Sequence, residues 1–339
     1  MVPARAEFLA EQWAGESASS ETLRLVRLWV IVFVSVSPQP LPGTTSFAKM
    51  PKKHSLERSR PDLSGGTTRL SAMAIPGLPE IRKGHDVAKQ IVSAVHRAGI
   101  PLRDGDVVVV AQKIVSKAEG RVARLAEVKP SERARELAKG LSRDARFIEV
   151  VLQESRRIVR GERALIVETR HGFVCANAGV DHSNTGQRGC VTLLPKDPDR
   201  SARRLASSLR KLTGKRVAVI ISDTFGRPWR LGLVNFAIGA AGVPALVDLR
   251  GTRDRNGRLL TATVLAVADE LAAAAGLLMG KKSGTPVIVI RGYGTAKVGA
   301  GGKGEGKAGR GSGGAKRSGG ASEEGAARLI RAAEEDLFR

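Results

Sequence analysis

Val217-Ala218-Val219-Ile220-Ile221-Ser222 is an unbroken apolar run that leads straight into Asp223-Thr224-Phe225-Gly226-Arg227-Pro228. Apolar residues without alternation mark a strand buried on both faces. The acidic, Gly-containing segment after it reads as a loop at that strand's C-terminal end. A second stretch has the same layout: Phe173-Val174-Cys175-Ala176-Asn177 runs into Ala178-Gly179-Val180-Asp181-His182-Ser183-Asn184. A carboxylate just past the end of a buried strand is held on a rigid element and points into a crevice, where α/β sheets place metals and phosphates. Asp181 and Asp223, with Thr224 and Asn184 beside them, suit a hard divalent cation that also grips substrate phosphates. On spacing alone the two Asp residues equally fit plain capping of the turns or helices that follow.

Working outward, Arg69 to Ile75 reads as a first strand leading into Pro76-Gly77-Leu78-Pro79-Glu80. Val87, Ile91, Val92 and Val95 form a helical stripe over Asp86 to Arg97, with Gly99 as its stop. Asp106 to Ala111 is another continuous apolar strand, followed by the polar stretch Gln112 to Arg121. Pro130-Ser131 opens a helix through Leu141, and Arg143 to Arg157 reads as the next. Ala164 to Thr169 and Phe173 to Ala176 form a hairpin around His171-Gly172, with Cys175 as a small core residue. Pro198 to Leu212 is a basic amphipathic helix ending at Gly214. Thr261 to Met279 is an Ala/Leu-rich helix that supplies packing and offers Asp269 and Glu270 to the crevice. Pro286 to Ile290 is a last central strand. Strands and helices alternate irregularly, so the expected fold is α/β to α+β with a mixed sheet.

Composition narrows the function classes. The chain has 339 residues, is 42% hydrophobic and only 4% aromatic, so it builds a full core without a base-stacking surface. Cys175 and Cys190 form neither a CxxC nor a Cys/His pattern; no disulfide framework or structural zinc is indicated, and a reducing cytoplasm is the simplest setting. The net charge is +23, of which the Gly/Lys-rich stretch 293–321 carries +5 and residues 1–67 carry +2, leaving +16 on the remainder. That sign favours anionic ligands without choosing among nucleotide, phosphodiester, polycarboxylate and nucleic acid.

Residues 1–67 read as an extension outside the fold. The apolar run Leu28 to Val34 is too short to span a bilayer, and Glu7, Glu11, Glu16 and Glu21 before it make a poor signal peptide. Pro38 to Gly66 lacks periodicity, and Met50 or Met73 is an alternative start, which intact-mass measurement decides. The globular domain then covers 68–292 with 322–339, and 293–321 is a flexible basic insertion.

Common nucleotide signatures are missing. No GxxxxGK[ST] follows a strand, and Gly276 to Lys281 has one residue too few at a helix C-terminus, where a phosphate loop needs an N-terminus. Neither a GxSxG elbow nor an HExxH pair is present.

The longer motifs, however, resemble one family. Ile75-Pro76-Gly77-Leu78-Pro79-Glu80, the run Gly105 to Arg121, Ala176 to Asn184 and Ile221-Ser222-Asp223-Thr224-Phe225-Gly226-Arg227-Pro228-Trp229-Arg230 are similar to coenzyme F420-0:L-glutamate ligases, as are Phe236-Ala237-Ile238-Gly239, Ala268 to Ala272 and Glu334 to Phe338. The resemblance covers roughly 69–292 and 322–339. It implies a two-subdomain ligase fold, neither P-loop, Rossmann nor ATP-grasp. It also implies a homodimeric enzyme that adds L-glutamate to the lactyl carboxylate of F420-0 and then, γ-linked, to F420-1. GTP forms an acyl phosphate that the glutamate amine displaces, with Mg²⁺ or Mn²⁺ (two per site) and K⁺ as cofactors.

Carried over residue by residue, the resemblance places metal ligands at Asp181, Asp223 and Thr224, with Glu324 the best match in a C-terminal loop. Nucleotide contacts fall on Pro76, Gly77, Leu78, Pro79, Gln112, Lys113, Lys117 and Asn184. Gln112 stands where some relatives carry a contacting Ser, and His85 where an acidic residue is common. Asp181 and Asp223 are the catalytic carboxylates. Arg227, with Arg230, is added here because an Arg flanking a metal loop suits an acidic substrate or developing phosphate charge, although each alone equally fits a solvated surface Arg. His182 reads as a bystander, since acyl-phosphate chemistry needs no His. The chain stops soon after Phe338, so ligation without a flavin-reducing domain is expected. The rivals are a related ligase with another carboxylate acceptor, and a basic nucleic-acid-binding protein whose affinity falls steeply with salt. Nucleic acid and membrane are not expected partners.

Overall fold

The computed structural model describes residues 69–186, 188–280, 283–293 and 325–332. The extension 1–67, nearly all of the insertion 293–321, and Glu324 lie outside the described residues. In chain order the elements begin with β1 (Ser71–Ala74), α1 (Val87–Arg97), β2 (Val107–Ala111), α2 (Gln112–Ala118) and β3 (Val122–Arg124). Next come α3 (Glu132–Leu141), α4 (Ala145–Gln153), β4 (Ser155–Arg160), β5 (Ile166–Thr169), β6 (Val174–Ala176) and β7 (Cys190–Thr192). The rest are α5 (Pro198–Thr213), β8 (Ala218–Arg227), β9 (Arg230–Ala241), β10 (Val247–Asp248), β11 (Val264–Leu265), α6 (Val267–Met279) and β12 (Val287–Arg291), then a 3-10 turn at Ala326–Leu329.

Five strands form the main sheet in the order β1-β12-β2-β8-β9. β2 and β8 run parallel and the other neighbours antiparallel, which is the mixed sheet the irregular alternation predicts. The period-2 rule explains why its inner strands carry continuous apolar runs. Val108 and Val110, Val219 and Ile221, Val287 and Val289 face one core, shared with Ile91 and Val95 of α1 and Leu205 and Leu209 of α5. Their alternates Val107 and Val109, Ala218 and Ile220, Ile288 and Ile290 face a second core under α6, with Leu271 and Ala275. Each Val, Leu or Ile among them, fully buried, contributes on the order of 1.5–3 kcal/mol. A third core gathers α3, α4 and the small strands around Phe147, Ile148, Val167 and Val191. Around it β4-β5-β6 form one small sheet and β3-β7 another.

Local chemistry sets the helix ends. Asp86 caps α1 by accepting from Lys89 N at 3.1 Å. Asp197 caps α5 by accepting from Arg200 N at 2.9 Å, with Pro198 in the first turn and Gly214 closing the helix in the left-handed region.

Three expectations need correction, and one unassigned stretch gains a structure. Asp223 and Thr224 are not in a loop: β8 continues through them to Arg227, pairing Asp223 with Phe236 and Thr224 with Asn235 of β9. The parallel ladder to β2 ends at Ser222, opposite Ala111. Beyond it β9 alone satisfies the backbone, so the chain leaves the sheet as a two-stranded arm and turns only at Pro228-Trp229. The helix expected from Thr261 starts at Val267, because Val264–Leu265 pair with Val247–Asp248 in an extended ribbon that suits the β-branched Thr261, Thr263 and Val264. The helix expected through Arg157 ends at Gln153, and Ser155–Arg160 become β4. The unassigned polar stretch after β2 is helix α2, which buries Ile114 and Val115 and is followed by Gly120, whose φ is +73°.

Candidate functional site

α2 begins directly after the last residue of β2, so its side chains emerge at the C-terminal edge of the parallel pair β2-β8. Lys113 and Lys117 are four residues apart and share one face of it. The Lys113 ammonium donates to Asp181 Oδ2 at 2.6 Å, to the Ser183 carbonyl at 3.0 Å and to the Ser183 hydroxyl. Asp181 is fixed on both sides: its backbone pairs with Thr192, and Oδ1 accepts from Ser183 N at 2.8 Å. Burial works to raise the Asp181 pKa, but the bonds from Lys113 and Ser183 outweigh it and hold the carboxyl below the usual range. It is therefore a fixed negative charge at neutral pH.

The Lys117 ammonium meets Glu80 Oε1 at 2.5 Å; the lysine side chain is 7% exposed and the glutamate 56%. Glu80 follows the Pro76–Pro79 turn, where Gly77 adopts φ +75° and its carbonyl accepts from Arg97 at 2.8 Å. The loop after Asp181 returns over this pair. Asn184 and Gly186 are left-handed, at φ +55° and +77°, and Glu80 Oε1 lies 2.8 Å from where a Cβ at Gly186 would be, so the loop closes directly over the Glu80 carboxylate. Arg82, Lys83, Lys117 and Arg124 line a cavity of about 590 Å³ with Glu80 and Thr185. Four cations around one carboxylate make it a site for anions. Gln112 is fully buried on the same helix; its Oε1 accepts from the Ser116 hydroxyl at 2.7 Å, while its Nε2 finds no acceptor among the described residues. An orphaned buried donor costs about 1–3 kcal/mol, so a ligand acceptor at that amide is favourable.

Asp223 sits on the arm, on the same face as Phe225 and its cross-strand neighbour Phe236. The Thr224 hydroxyl donates to Asn235 Oδ1 at 3.3 Å. β6 lies against β8. Burial pushes the Cys175 thiol of β6 up to about 12, and the nearby Asp223 carboxylate adds to the rise. From β6 the chain turns through three consecutive left-handed residues, Asn177, Ala178 and Gly179, and reaches Asp181. At Gly179 the Leu194 side chain lies 2.7 Å from a hypothetical Cβ, so the tight turn requires glycine.

The expected nucleotide positions Gly77, Lys113, Lys117 and Asn184 thus surround one region with Asp181. Asp223 and Thr224 lie on the neighbouring arm and connect to it through β6. Arg227 is engaged in the arm's tip, where its guanidinium donates to the Leu231 carbonyl at 2.9 Å. Arg230 is exposed at the start of β9. His182 stacks on Phe147 with ring centroids 4.6 Å apart. Among the described residues no group of three or more His, Cys, Asp or Glu side chains is placed to hold a metal ion, and Glu324 lies outside them.

Several working residues escaped the sequence reading. Glu80 was visible only as the acidic end of its motif, and nothing local signalled its pairing with Lys117. Asp199 looks like an ordinary acid in a first helical turn, yet its carboxylate accepts from Ala240 N at 2.8 Å, Ala326 N at 2.7 Å and Ala327 N at 3.2 Å. Asp269, which the sequence already offered to the crevice, accepts from Ala237 N at 2.9 Å, and burial raises its pKa.

Residues 77–292 match the sequence model of the F420-0:Gamma-glutamyl ligase family. The chain is similar to the coenzyme F420:L-glutamate ligase of Methanothermobacter thermautotrophicus, with 48% identity over 226 residues, 66% of this chain and 89% of the relative. The enzyme of that name from Archaeoglobus fulgidus is 46% identical over 233 residues, covering 68% and 91%. The one from Methanopyrus kandleri is 48% identical over 230 residues, covering 67% and 89%.

Proposed function

This chain belongs to the F420-0:gamma-glutamyl ligase family, and from that premise we propose that it joins L-glutamate to the lactyl carboxylate of coenzyme F420-0 and then, γ-linked, to F420-1, at the expense of GTP. The observation that carries the nucleotide part is α2, which sets the buried Lys117 in the wall of a cation-lined cavity and Lys113 on Asp181.

In this reading an acceptor carboxylate oxygen attacks the γ-phosphorus of GTP, forming an acyl phosphate as GDP leaves. The glutamate amine then attacks the acyl carbon; phosphate leaves, the amide forms, and the amine proton is released. Lys117 and Lys113 serve as point charges on phosphate oxygens. Lys117 is preorganised by its burial, and its present partner Glu80 is the exposed member of the pair, so an incoming phosphate displaces the glutamate rather than the lysine. Gly77 and the Pro76–Pro79 turn let backbone approach the nucleotide.

Asp181, Asp223 and Thr224 offer hard oxygen donors, the set that Mg²⁺ or Mn²⁺ takes, and the Lys113 ammonium on Asp181 marks that carboxylate as a place suited to positive charge. Bound there, such ions neutralise phosphate charge during transfer. Stimulation by K⁺, a homodimeric state and the two-subdomain ligase fold belong to the same proposal. No helix among the described residues is long and apolar enough to cross a membrane.

GTP titration of the wild type and Lys117→Met tests the nucleotide assignment. Loss of a buried charge–phosphate contact lowers affinity by at least about tenfold, or about 1.4 kcal/mol. Unchanged GTP affinity in the folded variant refutes the site.

A further inference from the structure

α5 carries Arg200, Arg203, Arg204, Arg210 and Lys211, and all five are exposed. At about 100° per residue they fall within about 120° of the helix circumference. Ala202, Leu205 and Leu209 occupy the opposite side and are buried in the core shared with α1. Among the described residues none of the five cations makes an ion pair or a side-chain hydrogen bond. The acids of this segment are committed elsewhere: Asp197 caps the helix at Arg200 N, and Asp199 turns inward to Ala240 N and Ala326 N. Exposed cations in other elements are matched, Arg135 to Glu132 at 2.9 Å, Arg146 to Asp144 at 2.7 Å and Arg250 to Asp248 at 2.5 Å. On α3 the cations Arg133 and Lys139 alternate with Glu132 and Glu136; on the outer face of α5 no acid interrupts the row. Lys215, exposed just past the Gly214 stop, extends it.

The row is straight and mounted on a packed helix, which selects among anionic partners. From Arg200 to Lys211 the helix rises about 16 Å. Over that length one strand of a nucleic-acid duplex sets about five phosphates, at about 3.4 Å each. Five cations therefore meet about five phosphates. Four of the five are Arg, whose planar fork grips a phosphate through two bonds where Lys offers a point charge. An anionic membrane suits the helix poorly. A helix that lies in a lipid surface needs its apolar face free to enter the acyl boundary, and here Leu205 and Leu209 are 7% and 0% exposed. The low aromatic content, which argues against base stacking, is no obstacle to a face that meets phosphates alone.

We propose that the outer face of α5 binds the phosphodiester backbone of duplex nucleic acid without reading its sequence. None of the five cations lines the cavity beside Lys117, so this surface is separate from the nucleotide site and does not depend on the ligase reading. The net charge of +23 draws polyanions toward the chain as a whole; the uninterrupted row on α5 gives them a place to dock.

Fluorescence anisotropy of the full chain with a labelled DNA duplex of about 20 base pairs, repeated between about 0.05 and 0.3 M salt, is the test. Saturable binding is expected, with log K falling against log salt at a slope of about −4 to −5. Arg203→Gln/Arg204→Gln/Arg210→Gln removes three of the contacts, so the slope flattens by roughly 2.7 and affinity at about 0.1 M salt falls at least tenfold. All three side chains are exposed, so the variant keeps the wild-type melting temperature to within about 2 °C. Lys129→Gln/Arg133→Gln/Lys139→Gln removes the same charge from exposed positions at α3 and just before it, and leaves affinity within about threefold of wild type. Equal weakening by both triple variants, weakening by neither, or absence of saturable binding overturns the proposal. So does binding to phosphatidylserine vesicles that the α5 variant loses while the duplex stays unbound, which assigns the face to a lipid surface.

Discussion

Replacing Asp199 with Ala removes one carboxylate that accepts three backbone amides, Ala240 N at 2.8 Å, Ala326 N at 2.7 Å and Ala327 N at 3.2 Å. Ala240 and Ala326 are both fully buried, so two of these donors lose a charged acceptor without gaining ready access to water. Hydrogen bonds to a charged group are worth about 1.5–3 kcal/mol each, and an orphaned buried donor costs about 1–3 kcal/mol. Partial relaxation of the exposed Ala327 end lowers the sum, so a loss of about 3 kcal/mol is expected in urea denaturation, with m unchanged. Hydrogen exchange locates the effect: the Ala326 and Ala240 amides lose protection by about a hundredfold, while β2 amides fall only with global stability. Asp199→Asn, which keeps an uncharged acceptor, loses about half as much. A loss below about 0.5 kcal/mol, with Ala326 and Ala240 exchange unchanged, refutes the claim that Asp199 pins β9 and the C-terminal turn to α5.

Gly239→Ala places a Cβ 2.4 Å from the Pro198 carbonyl oxygen and 2.5 Å from its carbon, a clash with backbone that no rotamer relieves. It destabilises the protein by about 3 kcal/mol in the same assay, and a cost under about 1 kcal/mol means α5 is not seated on β9 at that contact. The Asp181–Lys113 pair gives a pH signature. The folded carboxyl titrates below its unfolded value of about 3.9, so its stabilisation is complete above that value and lost as pH falls through the folded pKa. Lys113→Gln is therefore less stable than wild type near about pH 6, and the difference narrows as pH falls below the unfolded carboxyl's value; a gap independent of pH contradicts the pairing.

Much of the main sheet was legible because its inner strands are apolar on both faces, and such runs as Val107 to Val110 and Val217 to Ile221 have few other uses. The glycines that stop α1 and α5, Gly99 and Gly214, were equally plain. The arm was not. Asp223-Thr224-Phe225-Gly226 has the composition of a loop, and only pairing with a strand of distant register, itself hidden in Leu233 to Phe236, keeps it extended. At the site, Asp181 and Lys117 were legible as charges beside strand ends. Their partners Ser183 and Glu80, and the latch at Asp199, depend on tertiary approach that leaves no local mark.

Mass spectrometry of F420-0 incubated with the protein, GTP, L-glutamate and Mn²⁺, with Asp223→Asn in parallel, tests the central claim most directly. Stepwise glutamate-sized mass gains that require GTP and vanish in the variant are the predicted result. An unchanged F420-0 mass with folded, GTP-binding wild-type protein contradicts the account, as do gains that persist in Asp223→Asn.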